Sequence, residues 1–212
     1  PQGLALMPAL WIKICGLRTL EAIDAAVGAG ADAVGFVFHD GSPRNVALDD
    51  ARALQRAVPA GIERVAVFLH PSQALLDAVL AAIEPDWVQT DASDLVALRL
   101  PIGQRVLPVL RSGAALAGPL PPRFLFESSN SGSGERADWT TAARIARTSQ
   151  LVLAGGLDPS NVGAAVRAVR PFGVDVSSGV ESSRGVKDAA RIREFIRSAR
   201  EAEQALVAEE NR

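Results

Sequence analysis

The chain's one cysteine, Cys15, follows an apolar run from Trp11 to Ile14 and precedes Gly16. A thiol becomes a base or nucleophile as the thiolate, and Lys13, two residues back on the same face of a strand, can favour that form. A lone cysteine in an apolar strand is more often inert packing. The strand-end position beside a glycine, with the lysine behind it, argues for chemistry. Glu127 closes a second apolar run, where a carboxylate is costly unless it meets water or a ligand. Asp91 ends a third run, and Asp40 and Arg44 belong to the turn-rich loop His39 to Arg44. Further on, Leu151 to Ala154 leads into Gly155-Gly156, and Gly173 to Ser177 leads into Ser178-Gly179. Such turns let a ligand oxygen approach main-chain N–H groups, so two of them on successive strands form a phosphate grip. Either pair alone reads equally as punctuation between elements. His39 and His70 open loops and read as solvated or capping groups. With Cys15 they are too scattered for a metal site.

These residues need strands to hold them. Strand patterns fall at 11–14, 33–38, 64–69, 87–90, 105–110, 124–127, 151–154 and 173–177. Helical spacing follows Thr19, covers 48–58, 72–83 and 139–147, runs from an Asp158 cap to about Val169, and begins again near Val186. Residues 91–100 are weakly patterned and could form a short helix, and 112–120 an abbreviated helical or irregular link. The stretch 128–134, Ser-Ser-Asn-Ser-Gly-Ser-Gly, suits no regular element. Eight strands alternating with seven or eight helices, too far apart for hairpins, imply parallel strands with right-handed crossovers. Eight can close into a (β/α)8 TIM barrel, whereas open doubly wound sheets usually have fewer. Candidate catalytic groups then belong at the C-terminal ends of the strands, where Cys15, Asp91, Glu127 and the glycine turns lie.

A chain of 212 residues, 48% hydrophobic, can bury one large core, so a single domain is expected over 11–200. Residues 1–10 are expected to form an N-terminal extension and start, and residues 201–212 a charged helical tail. Whether the stretch before Met7 is native is open. Net charge is −2 and no more than two basic residues adjoin, which excludes the footprint of a nucleic-acid binder. One cysteine rules out an internal disulfide framework, and no run approaches the ~18 apolar residues of a membrane span. The expectation is a cytoplasmic protein with a small-molecule ligand, as a monomer or homodimer.

Lys-Ile-Cys-Gly-Leu at 13–17, Gly-Phe-Val-Phe at 35–38 followed by Ser-Pro-Arg at 42–44, Val-Phe at 67–68, Val-Gln at 88–89 and Asp-Trp at 138–139 recur in order. Ala-Gly-Gly-Leu-x-Pro-x-Asn-Val at 154–162, Val-Asp-Val-Ser-Ser-Gly-Val-Glu at 174–181 and Gly-Val-Lys-Asp at 185–188 complete the series. Together they resemble the phosphoribosylanthranilate isomerase family of tryptophan biosynthesis. The resemblance implies an Amadori rearrangement in which a phosphoribosyl aminosugar opens to a Schiff base and passes through an enolamine to a 1-deoxyribulose phosphate. It implies Cys15 as the general base taking the C2′ proton and Arg44 as the holder of the anthranilate carboxylate. Lys13, Asp91, Gly155, Gly156, Asp175, Ser178 and Gly179 become candidate substrate-binding residues. No cofactor and no metal are implied, and the partner is a phosphorylated small molecule.

Three features depart from the family pattern. Glu127 stands where the family has an aspartate as general acid, the loop ending at Gly134 is shorter, and Thr90-Asp91-Ala92 replaces Leu-His-Gly. Glu127 is expected to be the acid, with a pKa raised by desolvation and the substrate phosphate, and Asp91 is its rival. Two alternatives stay open: another phosphosugar barrel, such as a ketose–aldose isomerase pairing two aspartates, or a non-catalytic phosphate-binding barrel.

Overall fold

Short, mostly apolar runs form eight parallel strands, and they close on themselves. A computed structural model describes residues 9–113, 120–128 and 136–212. The strands β1 (Trp11–Cys15), β2 (Ala33–Phe38), β3 (Glu63–Phe68), β4 (Trp87–Asp91), β5 (Arg105–Arg111), β6 (Arg123–Glu127), β7 (Gln150–Leu153) and β8 (Gly173–Val176) form a closed barrel in sequence order. Closure is made where Trp11, Ile12, Lys13 and Ile14 pair with Gly173, Val174, Asp175 and Val176. The chain is therefore a single (β/α)8 barrel.

Both faces of each strand are buried, as parallel sheets require. Ile12, Ile14, Phe36, Phe124 and Phe126 face outward into a core shared with the helices, while Trp11, Val65, Trp87, Leu107, Leu125 and Val152 fill the barrel interior. A Cβ on Gly173 would lie 2.5 Å from the Trp11 carbonyl oxygen and 3.1 Å from its indole, so the missing side chain makes room for the tryptophan. The Arg123 guanidinium stacks 4.1 Å from the Phe172 ring centre and 5.0 Å from that of Trp87, covering the aromatic layer by cation–π contact.

The helices are α1 (Leu20–Gly28), α2 (Leu48–Gln55), α3 (Gln73–Ile83), α4 (Trp139–Ala146), α5 (Val162–Val169) and α6 (Ala189–Glu210). Thr19, Ser72 and Asp138 cap α1, α3 and α4 by accepting from main-chain N–H groups. The expected count of seven or eight helices is too high among the described residues. Residues 94–96 make only a 3₁₀ turn, and most of the link from β5 to β6 lies outside the described residues, as do 1–8 and the loop 129–135.

Two helix starts also differ from expectation. Asp158 accepts the N–H groups of Ser160 and Asn161 as a capping carboxylate does, but the turn it closes precedes the regular helix, which begins at Val162. Asn161 points back, donating to the Gly156 carbonyl and accepting from the Asp158 N–H, which ties the glycine turn to the helix. Val186-Lys187 is not helical but forms β10, antiparallel to β9 (Glu181–Ser183), and α6 starts after the Asp188 cap. From there α6 runs unbroken through residues 201–210, packed on α1 and α5, with Ala202 and Leu206 buried.

Gly173→Ala should lower unfolding stability by about 1–3 kcal/mol, the usual cost of overpacking a filled core. Urea denaturation measures this, and an unchanged midpoint would mean that the indole has other space to occupy.

Candidate active site

Alternation along β1 turns Trp11, Lys13 and Cys15 inward, and pairing with β8 sets Lys13 opposite Asp175. Lys13 is fully buried, a state an ammonium tolerates only with a partner, and its Nζ lies 2.8 Å from Asp175 Oδ1. Burial works against the Lys13 charge, but Asp175 and then Cys15 outweigh it, so the ammonium is held above its usual range. Burial also dominates at Cys15 and raises the thiol, while Lys13 and Lys187 pull it down. Lys13 thus acts in the expected direction on the thiol without prevailing over burial. A Cβ on Gly35 of β2 would lie 3.1 Å from Cys15 Sγ and 3.2 Å from Lys13 Nζ. The bare strand leaves the thiol and ammonium room to share one corner.

A second cluster, on the loops after β2 and β8, was not foreseen. Glu181 receives Arg44 Nε at 2.6 Å and Nη2 at 3.0 Å, Lys187 Nζ at 2.8 Å and the Gly185 N–H at 3.0 Å. Burial tends to raise the Glu181 carboxyl, but its partners, Arg44 first and Lys187 second, bring it down to about 2. Lys187 also donates to the Ser177 carbonyl at 2.8 Å, and burial lowers its pKa against the pull of Glu181. Arg44 therefore keeps its place beside the mouth while two of its N–H groups are bound within the protein. Glu181 and Lys187 belong to sequence blocks that carry the family resemblance. Neither ends a buried strand, so position gave them no chemical signal.

Two neighbouring cavities at this end of the barrel reach the strand-end residues. One of about 220 Å³ is lined by Cys15, Arg44, Gln89, Glu127, Asp175 and Ser177, among others. The smaller is bounded by Gly155, Gly156 and Ser178 and also by Glu127, Asp175 and Ser177. Gly155 and Gly156 adopt φ of 83° and 63°, which suits residues without a Cβ. Gly179 does not line the smaller cavity; a Cβ there would lie 1.9 Å from the Leu157 carbonyl oxygen, so it lets the two turns abut.

Asp91 lines neither cavity. Its carboxylate receives Arg111 Nη2 at 2.6 Å and Nε at 3.3 Å, and Arg111 Nη1 donates to Glu127. His70 approaches from the loop after β3: Nδ1 is 2.8 Å from Asp94 and Nε2 is 3.8 Å from Asp91. The hydrogen bond to Asp94 raises the imidazole above its usual value. His39 lines the larger cavity. The described residues contain no cluster suited to a metal ion, and none of their helices is long and apolar enough to cross a membrane.

A thiol, a carboxyl and a glycine-serine turn at the C-terminal mouth of an eight-stranded parallel barrel define a (β/α)8-barrel enzyme. A family model described as N-(5′-phosphoribosyl)anthranilate (PRA) isomerase matches residues 12–198, and the chain belongs to that family. The N-(5′-phosphoribosyl)anthranilate isomerase of Pelobacter propionicus is 39% identical over 199 residues, covering 90% of this chain and 95% of the relative. The same enzyme of Pseudomonas aeruginosa is 40% identical over 207 residues, covering 92% and 97%. Among solved structures, TrpF from Jonesia denitrificans superposes with a TM-score of 0.75 at 34% identity, covering 92% of this chain and 98% of that one. A phosphoribosyl anthranilate isomerase in complex with reduced 1-(o-carboxyphenylamino)-1-deoxyribulose 5-phosphate gives 0.71 at 29% identity, with coverage of 91% and 99%.

Because the Glu181 carboxyl is lowered from 4.5 to about 2, its stabilising contribution is full above pH 4.5 and disappears as pH falls toward 2. Glu181→Gln should cost about 3–5 kcal/mol at pH 7, since two cations lose their partner, and should flatten the acid limb of the stability profile. Urea unfolding across pH 2–7 tests this, and a parallel wild-type curve would refute it.

Proposed function

We propose that the chain converts N-(5-phosphoribosyl)anthranilate to 1-(2-carboxyphenylamino)-1-deoxyribulose 5-phosphate, with Cys15 as general base and Glu127 as general acid. The observation that carries the reading is the wall of Glu127, Asp175 and Ser177 shared by the two cavities. A ligand with a phosphate in the Gly155, Gly156 and Ser178 turns and an aromatic carboxylate near Arg44 has its sugar at that wall, within the reach of both groups. The ligand of the related structure carries the same three parts, a carboxyphenyl ring, a pentulose chain and a phosphate.

Glu127 gives a proton to O4′ as the C1′–O4′ bond breaks; the electron pair stays on oxygen, and the nitrogen lone pair forms the C1′=N bond of the Schiff base. The Cys15 thiolate then removes the C2′ proton. The freed pair forms C1′=C2′ and neutralises the iminium, giving the enolamine. Proton gain at C1′ and loss from the C2′ hydroxyl complete the ketone. Every change is a proton transfer or tautomerisation, which the side chains present can support. The cations Lys13 and Lys187 favour the thiolate against burial, and Asp175 keeps Lys13 charged.

Complementation of a tryptophan auxotroph lacking this step is the direct test: growth without tryptophan is expected, and failure despite soluble expression would overturn the reading. Cys15→Ser should lower kcat by at least ~100-fold, the lower range for loss of a general base, with little change in stability. Full activity would make the thiol a packing group. Gly156→Asp puts a carboxylate where the phosphate is held, so KM should rise sharply; an unchanged KM in steady-state assays would remove the turn from the site.

A further inference from the structure

We propose that Arg111 is a positioning residue for Glu127: anchored on Asp91 through two N–H groups, it presents a third to the Glu127 carboxylate and fixes it at the wall between the two cavities. The inference rests on the reading of Glu127 as the acid.

The arrangement follows from strand register. Arg111 on β5 is the direct neighbour of Glu127 on β6, and Asp91 on β4 pairs with Val109, two residues before Arg111 on the same strand. Three adjacent strand ends thus carry an anion, a cation and an anion. A glutamate in place of aspartate has one more methylene and one more rotatable bond, so it reaches farther and is held less firmly by its own backbone. A planar guanidinium can remove that freedom. With Nε and Nη2 committed to Asp91, the plane is set, and Nη1 then defines where the Glu127 oxygen sits. The Asp91, Arg111 and Glu127 side chains are only 15%, 21% and 14% exposed, so water competes weakly for these bonds. Of the three, only Glu127 lines the cavities, so Arg111 and Asp91 act through it.

Charge and geometry make opposite contributions here, which separates them experimentally. A guanidinium favours the carboxylate over the protonated acid that ring opening needs. Among the described residues, the other charged or titratable groups around this unit are His70 and Asp94 beside Asp91, and His39, Asp175, Cys15, Arg44 and Arg184 around the larger cavity. Removing the Arg111 charge leaves all of these in place. It should extend the protonated form of Glu127 to higher pH while losing the carboxyl's orientation.

The experiment measures kcat and KM from pH 5 to 10 for wild type, Arg111→Gln, Arg111→Lys and Glu127→Gln, with thermal melts to confirm folding. Arg111→Gln should lose at least tenfold in kcat at the wild-type optimum with KM within about twofold, and its alkaline limb should move to higher pH. Arg111→Lys keeps the charge without the fork, so its kcat should fall while the limb stays near wild type. If Arg111→Gln unfolds, the lysine variant alone decides, because unchanged kcat there would overturn positioning by the fork. Unchanged kcat and limb in a folded Arg111→Gln protein would likewise overturn the proposal while leaving the acid assignment intact. Full activity in Glu127→Gln would instead show that the underlying reading is wrong.

Discussion

The ion pair between Lys13 and Asp175 is the constraint on which both barrel and site depend. A fully buried ammonium is tolerable only if its partner is fixed, and the partner belongs to the strand that closes the sheet. Removing one member of such a buried pair typically costs about 3–5 kcal/mol, because a lone charge remains in a medium that solvates it poorly. The same lysine faces the thiol, so barrel closure also installs the cation beside Cys15. Assembly of the sheet and assembly of the Lys13–Cys15 corner are one event.

The rest of the mouth repeats this logic with different partners. Glu181 gathers Arg44, Lys187 and a main-chain N–H, and Arg111 bridges Asp91 and Glu127. In each cluster a charge that would be costly alone is neutralised by a group from another element of the barrel. The clusters surround two cavities that share a wall, so the polar groups hold one another before any ligand arrives. Preorganisation of this kind reduces the reorganisation left for the reaction itself.

Much of the frame was legible because the signals are local. Short apolar runs marked all eight strands, and Thr19, Ser72 and Asp138 had the residue types that accept from first-turn N–H groups. Cys15 and Glu127, singled out as strand ends, both line one cavity. What failed involved side chains acting outside their own segment. Asp158 looks like a cap, yet Asn161 turns back to the glycine loop and the helix starts later. Arg111 ends an apolar strand as plainly as Glu127 does. Its role depends on the register of β4, β5 and β6, and nothing in its local sequence reports that. Glu181 and Lys187 belong to the blocks that carry the family resemblance, but the bond from Arg44 to Glu181 joins loops 137 residues apart, which no local pattern reports.

The closure between β1 and β8 also bears on how the chain reaches this state. Lys13 and Asp175 are 162 residues apart, and α6 reinforces the same seam through Arg200, which donates to the Leu10 carbonyl, and Glu203, which accepts the Leu10 N–H. During synthesis β1 emerges early and can pair with β2, but its other edge stays unsatisfied until β8 follows. Contacts of such sequence separation form slowly, and an open strand edge invites pairing with other chains in the meantime. Cys15 lies on that early strand, so the corner it shares with Lys13 is also among the last to be sealed from nascent-chain company.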